Sequence, residues 1–271
     1  MPRLLHSIRL EHLELQSILK EFKPDLIISD NRYGVYNTEI KSILITHQLN
    51  PMGPKITRPF IRGYIKRLCN KFNELWVPDF EFENKLSGEL SHHPKIKIKA
   101  KFIGCLSRFA GMEIYRTEKL GIFAMISGPE PHRTSLENIL RKRLKQSPGK
   151  HVLVCGTPNE SQAFQDENIL VYPHLADEEI LRLIVNSETV IISGGYSGIM
   201  DLYSIGRGAY LIPTPGQPEQ EYLANFLDKK YGFIKLEQKN IANIKGFEVS
   251  KTGVQKCTTE IESFILESLG N

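Results

Sequence analysis

The sharpest chemical signal in this 271-residue chain is Ser193-Gly194-Gly195-Tyr196-Ser197-Gly198, between an apolar run (Thr189 to Ile192) and a short helical pattern. Glycines there remove the Cβ atoms that would hold a ligand away from the backbone. The helix that follows offers unpaired N–H groups and the positive end of its dipole, a combination that suits phosphate or diphosphate. Asp201 lies four residues beyond Ser197, about one helical turn on, within reach of sugar hydroxyls beside a bound phosphate. Gly206 closes the helix, Ala209 to Ile212 reads as a strand, and Pro213-Thr214-Pro215-Gly216 turns the chain toward Gln217, Glu219, Gln220 and Glu221. The pattern suggests a nucleotide-sugar pocket. The same strand–glycine–helix pattern also serves as a plain tight βα turn, and many such turns bind nothing. Neither G-x-G-x-x-G nor a G-K-[ST] ending is present, which argues against a dinucleotide dehydrogenase and a P-loop NTPase.

Other chemistry-bearing residues also fall where strands are expected to end. Ser127-Gly128-Pro129-Glu130-Pro131-His132-Arg133 follows the apolar run Ile122 to Ile126, placing Gly128 and Arg133 at a cleft, with Arg133 offsetting charge on a leaving diphosphate. Thr134 and Glu137 read as a capping box there. Tyr172-Pro173-His174-Leu175 ends another strand, with Asp177 as a helix cap. Asp30 and His47, after two early strands, are the nearby groups suited to proton transfer at neutral pH, and either type also serves simply to hold a loop. Arg58, Arg62, Lys66, Arg67 and Lys71 interleave with Phe60, Ile61, Tyr64, Ile65 and Leu68, either as a membrane-surface segment or as a core helix with a solvated basic face. None of the seven Asp residues forms D-x-D, and no H-E-x-x-H or G-x-S-x-G occurs, so no metal and no cofactor is expected.

These residues need a scaffold. Strand signals at Asp25 to Ile28, Ile43 to Thr46, Leu75 to Val77 and Ile96 to Ile103 precede a second set at Ile122 to Ile126, Val152 to Cys155, Ile169 to Tyr172, Thr189 to Ile192 and Ala209 to Ile212. Helical patterns separate them, notably Leu136 to Leu144 and Glu178 to Val185, after an opening amphipathic helix that Pro24 ends. Alternating β and α segments predict an α/β chain of parallel sheets covered by helices. The break around Leu106 to Leu120 divides residues 1–110 from 111–271, and a closing helix is expected over Thr259 to Leu269.

The stretch from Glu188 to Ala224 resembles the carboxy-terminal half of GT-B glycosyltransferases, in particular glycosyltransferase family 28 and its peptidoglycan N-acetylglucosaminyltransferases. Ser193-Gly194-Gly195, Asp201, Leu211-Ile212-Pro213 and Gln220-Glu221 carry the resemblance. It implies two Rossmann-like domains and a UDP-sugar donor. Ser193, Gly194, Gly195, Ser197 and Arg133 would hold the diphosphate, Asp201 the ribose, the backbone at His174 or Leu175 the uracil, and Gln220 and Glu221 the hexose. The acidic residue is Asp where the family more often has Glu, and Glu221 stands where it has a second Gln. The implied acceptor is a glycan or a lipid-linked glycan, with transfer by inversion, and the closing helix packs back toward the first domain.

The chain opens on a helix, without the leading strand and glycine loop of that family. The amino-terminal domain is therefore expected to be incomplete, or completed by a partner chain. A partner-dependent donor-binding subunit and a non-hydrolysing UDP-sugar epimerase are the alternatives. A net charge of +4, from 35 basic and 31 acidic residues, gives no warrant for nucleic-acid binding. No signal-peptide core stands near Met1, and Cys69, Cys105, Cys155 and Cys257 are scattered, so the expectation is a cytoplasmic chain, at the inner face of a membrane where its acceptor is lipid-linked.

Overall fold

The computed structural model describes residues 2–53, 56–96, 98–113, 115, 118–157, 162–243 and 261–270. These fall into two compact units. One runs to Gly104 and takes in the closing helix Ile261–Gly270; the other begins at Cys105. Ser107, Arg108 and Phe109, expected on the first-domain side of the boundary, thus belong to the second unit. Cys257 and the expected helix start at Thr259 lie outside the described residues.

The first unit opens with α1 (Pro2–Glu21) and carries four parallel strands: β1 (Leu26–Asp30), β2 (Lys41–Ile45), β3 (Glu74–Val77) and β4 (Lys101–Phe102). Their spatial order follows the chain, β1-β2-β3-β4. Parallel neighbours need crossovers; α2 (Arg58–Cys69) links β2 to β3, and a stretch containing α3 (Glu89–His92) links β3 to β4. Ile8, Leu44, Ile65, Leu68, Leu75 and Val77 form one buried layer. Trp76 points the other way, fully buried, with its ring edge-on to Phe264 of the closing helix. In α2, Ile65, Leu68 and Cys69 are buried, while Phe60 remains 77% exposed among the basic residues. The strand expected from Ile96 is reduced to Lys101–Phe102, while Ile98 and Ala100 pack against the same core without strand pairing.

The second unit is a seven-stranded sheet. Its strands are β5 (Leu120–Met125), β6 (His151–Val154), β7 (Phe164–Asp166), β8 (Ile169–Tyr172), β9 (Ser187–Ser193), β10 (Tyr210–Ile212) and β11 (Ile234–Lys235). The order is β11-β10-β9-β5-β6-β8-β7, all parallel except the edge strand β7. The helices are α4 (His132–Lys145), α5 (Asp177–Asn186), α6 (Tyr196–Ser204) and α7 (Pro218–Leu227). Ile122, Ala124, Leu153, Val171 and Ile191 join Leu136, Leu140 and Leu144 of α4 in one buried layer. Phe123, Val190 and Ile192 alternate with them, are equally buried, and α5 packs against β5 and β9. Two expected caps are corrected. α4 begins before Thr134, whose hydroxyl donates to Glu130 (3.0 Å) while Glu137 binds arginines. Asp177 is the first residue of α5, with Ala176 at the cap position.

Candidate functional site

In the second sheet the chain builds outward from β5 through β6 to β8, then returns to lay β9, β10 and β11 on the other side of β5. The direction of winding reverses between β5 and β9, and in open parallel sheets the crevice outside the strand ends at such a reversal is where ligands bind. The two loops singled out from sequence leave these two strands. Ser193 joins them: its hydroxyl accepts from the Ser127 N–H (3.0 Å) and donates to the Ser127 carbonyl (3.1 Å). Ser193 is buried and spent on this cross-link, so its hydroxyl organises the loops and is not offered to a ligand.

Beyond the cross-link the backbone is open. Gly195 is the residue before α6, and a Cβ built on it would meet nothing within 4 Å. The first helical hydrogen bond runs from the Ile199 N–H to the Gly195 carbonyl (3.2 Å). The N–H groups of Tyr196, Ser197 and Gly198 come before it, where a helix has no internal acceptors. α5 carries Asp177, Glu178 and Glu179 in its first turn and α7 carries Glu219 and Glu221, but α6 carries no acid there. Its positive end is therefore uncompensated by its own side chains, and Ser197 on the same turn is exposed. Gly128, after β5, has φ +129°, a conformation that favours glycine and keeps the loop backbone exposed at the reversal.

The remaining candidates are held more tightly than the sequence suggested. Arg133 bonds Glu130, Glu137 (3.3 Å) and the Cys155 carbonyl (3.3 Å); its side chain is 13% exposed and its charge is already matched. Gln220 accepts from the Thr214 N–H (2.9 Å) and Glu221 from the Gly216 N–H (3.0 Å), so both brace the turn after β10. His174 is exposed and Leu175 half-buried after β8. Asp201 is buried on α6. Its Oδ1 accepts from the Ser107 hydroxyl (2.9 Å) and the Arg108 N–H (3.2 Å), and its Oδ2 from Arg108 Nε (2.9 Å). Burial pushes this carboxyl above the usual carboxylate range, which Arg108 and Ser107 only partly offset. Ser107 and Arg108 were invisible as partners in sequence, standing about ninety residues from Asp201 with no local pattern to flag them.

In the first unit, Asp30 ends β1 exposed and His47 follows β2 half-buried. Between them, the Thr46 hydroxyl donates to Asn31 (2.9 Å) and the Asn31 N–H to the Ile45 carbonyl (2.9 Å), so both groups stand at the carboxyl edge of that sheet. Asp79, in a Trp76-Val77-Pro78-Asp79 segment that resembles a cleft-facing strand end, is the fully buried carboxylate after β3. It accepts from the N–H groups of Phe80, Leu86 and Ser87, all at 2.8 Å, from the Ser87 hydroxyl, and contacts His92 Nε2 (3.1 Å). A carboxylate so completely satisfied ties its own loop together. Among the described residues no cluster of His, Cys, Asp and Glu is arranged to hold a metal ion.

No family model matches the chain. It is 23% identical over 237 residues to an uncharacterized glycosyltransferase of Methanosarcina acetivorans, an alignment covering 81% of this chain and 62% of the relative. It is 26% identical over 231 residues to the UDP-N-acetylglucosamine–N-acetylmuramyl-(pentapeptide) pyrophosphoryl-undecaprenol N-acetylglucosamine transferase of Finegoldia magna, covering 80% and 60%. The chain thus spans about three fifths of the length of these curated relatives. Among solved structures, the glycotransferase of kitacinnamycin superposes with a TM-score of 0.56 at 16% identity, covering 87% of this chain and 69% of the other. SnogD of Streptomyces nogalater gives 0.56 at 11% identity, covering 88% and 66%. Spinosyn rhamnosyltransferase SpnG, solved in complex with thymidine diphosphate, gives 0.56 at 10% identity, covering 89% and 69%. In sequence this chain is similar to proteins named glycosyltransferases, and its fold is that of the solved glycosyltransferases.

Proposed function

We propose that the chain binds a UDP-sugar at the reversal between β5 and β9 and transfers its hexose to a glycan or lipid-linked acceptor. The observation that carries the reading is the pairing of two open glycine loops, bridged by Ser193, at the one place where this sheet changes direction. In this reading Gly194, Gly195, Ser197 and the first-turn N–H groups of α6 take the diphosphate. Gly128 lets the backbone approach, and Arg133 stands by through its loop. The backbone at His174 and Leu175 meets the uracil, Asp201 the ribose, and Gln220 and Glu221 the hexose.

The acceptor hydroxyl oxygen attacks the anomeric carbon as the bond from that carbon to the UDP oxygen breaks. UDP leaves with the bonding pair, and its growing charge is met by N–H groups that are already oriented. The acceptor proton goes to a base, for which Asp30 and His47 are the candidates, and attack opposite the leaving group inverts the anomeric centre. Calorimetric titration with UDP, UDP-glucose and UDP-N-acetylglucosamine, on the full chain and on Asp201→Ala, tests this. Binding weakened about tenfold or more by the substitution is expected, in line with loss of a hydrogen-bonded charged group; a folded chain that binds none of the three sinks the reading.

A partner-dependent form of the same activity is favoured by one observation. β1 pairs only with β2, leaving its other edge open among the described residues, with Ile28 on it 39% exposed. A partner chain adding a strand there would extend the first sheet. No helix of the described residues is long and apolar enough to cross a membrane. We place the work in the cytoplasm, at the inner membrane face if the acceptor is lipid-linked, with the basic and aromatic surface of α2 as the contact.

A further inference from the structure

Asp201 has little left to give a ligand. Its side chain is 8% exposed, and three hydrogen bonds from Ser107 and Arg108 fill its two oxygens. A carboxylate offers about four lone-pair sites, whereas the neighbouring hydroxyls of a ribose donate two hydrogen bonds. Bidentate binding of a ribose therefore requires one present donor to leave.

The donor built to leave is the Arg108 side chain. It is 33% exposed, while Phe109 beside it is 3% exposed and anchors the segment. The guanidinium reaches three elements that surround the reversal. Nε meets Asp201 on α6, one terminal nitrogen meets Asp177 at the start of α5 (2.9 Å), and the other lies 3.8 Å from the sulfur of Met125 at the end of β5. Asp177 is itself 43% exposed, so neither outer grip is deeply buried. Exposed ion pairs of this kind are weak and exchangeable.

We propose that Arg108 sets the affinity of the donor site: it holds the position on Asp201 that a nucleoside diphosphate's ribose needs, and binding of the donor displaces it. This rests on the UDP-sugar reading above. The apparent affinity of a site that is partly self-occupied is reduced by the fraction of molecules in the open state, so loosening Arg108 strengthens binding.

The test uses the full chain with UDP as the probe. Calorimetry compares wild type with Arg108→Ala and Asp177→Asn, and nuclear magnetic resonance follows the Arg108 Nε–H. That N–H donates to Asp201 (2.9 Å), so it reports the latched state directly. Arg108→Ala is expected to bind UDP about three- to tenfold tighter, the range a weak ion pair allows. Asp177→Asn shifts affinity the same way by less, and exchange of the Arg108 Nε–H in wild type rises when UDP saturates. Asp177→Asn carries the affinity arm if Arg108→Ala fails to fold. Equal or weaker UDP binding in the folded variants, or an Arg108 Nε–H that UDP leaves unchanged, overturns the proposal while the wild-type chain still binds UDP. Absence of UDP binding to wild type and variants alike overturns the donor reading and this inference together.

Discussion

The two sheets are built from the same parallel strands and differ in one rule of assembly. In the first, each strand is laid beside the one before it, so the loops at the carboxyl ends stand in a row. In the second, the chain doubles back across β5, and the loops after β5 and β9 leave from adjacent strands with no strand between them. The polar residues follow suit. Asp79, after β3, turns inward and spends its carboxylate on its own loop, whereas a Cβ on Gly195 would meet nothing within 4 Å and the first turn of α6 carries no acid. Strand order, more than residue type, separates a loop that holds itself from a loop that can hold something else.

That contrast can be broken most forcefully at Asp79. Replacement by alanine strands several buried donors and should destabilise the first unit by about 3–5 kcal/mol. The chain has one tryptophan, Trp76, fully buried in that unit, so its fluorescence in urea reports the loss there; a midpoint within error of wild type would mean the loop holds without its carboxylate. Ser193→Ala should cost the second unit about 1–2 kcal/mol by removing the Ser127 cross-link, read as a lower melting temperature by circular dichroism. Gly195→Ala sharpens the comparison from the other side. With nothing within 4 Å of the new Cβ, stability should move by no more than about 0.5 kcal/mol while UDP affinity falls about tenfold, as expected where the added methyl meets only ligand.

The smallest effect is a pair of opposite pH slopes. Burial pushes the Asp79 carboxyl up, but hydrogen bonds from His92, the Leu86 N–H and Ser87 outweigh it and hold the group below its ordinary value. Its contribution is complete above the ordinary carboxylate value and is lost as pH falls through the lower one. Asp201 titrates above its ordinary value, so its contribution is complete below that value and lost as pH rises through the raised one. Urea unfolding from about pH 3 to 6, the range bracketing carboxylate titration, should show the wild-type advantage over Asp79→Asn growing with pH and that over Asp201→Asn shrinking. Parallel slopes would remove the electrostatic half of the contrast.

Much of this scaffold was readable in advance because it rests on local periodicity. The apolar runs at Ile122 to Ile126 and Thr189 to Ile192 are strands in the structure, and the glycine loop after the second does open onto α6. Strands too short to show a period escaped: β11 has two residues, and the edge strand β7 reads Phe164-Gln165-Asp166. Residue type predicted which groups cluster but not what they already hold. Arg133 sits among Glu130 and Glu137, within a turn of it, and a helix running back to His132 explains why. The occupation of Asp201 by Ser107 and Arg108 belongs to tertiary structure alone, because nothing near either end of that contact announces the other.

The closing helix has a consequence in time as well as in space. Its Phe264 rests on Trp76, Ser268 shares Glu74 and Lys41 with β3 and β2, and Glu267 pairs with Lys101. These contacts join the last-made described helix to strands made before any of the second unit. On a ribosome, the second unit has all its strands while the first still waits for the helix that covers Trp76. Domains that fold as units during synthesis usually finish in chain order; here the later unit can be complete first, and the earlier one is sealed only after it.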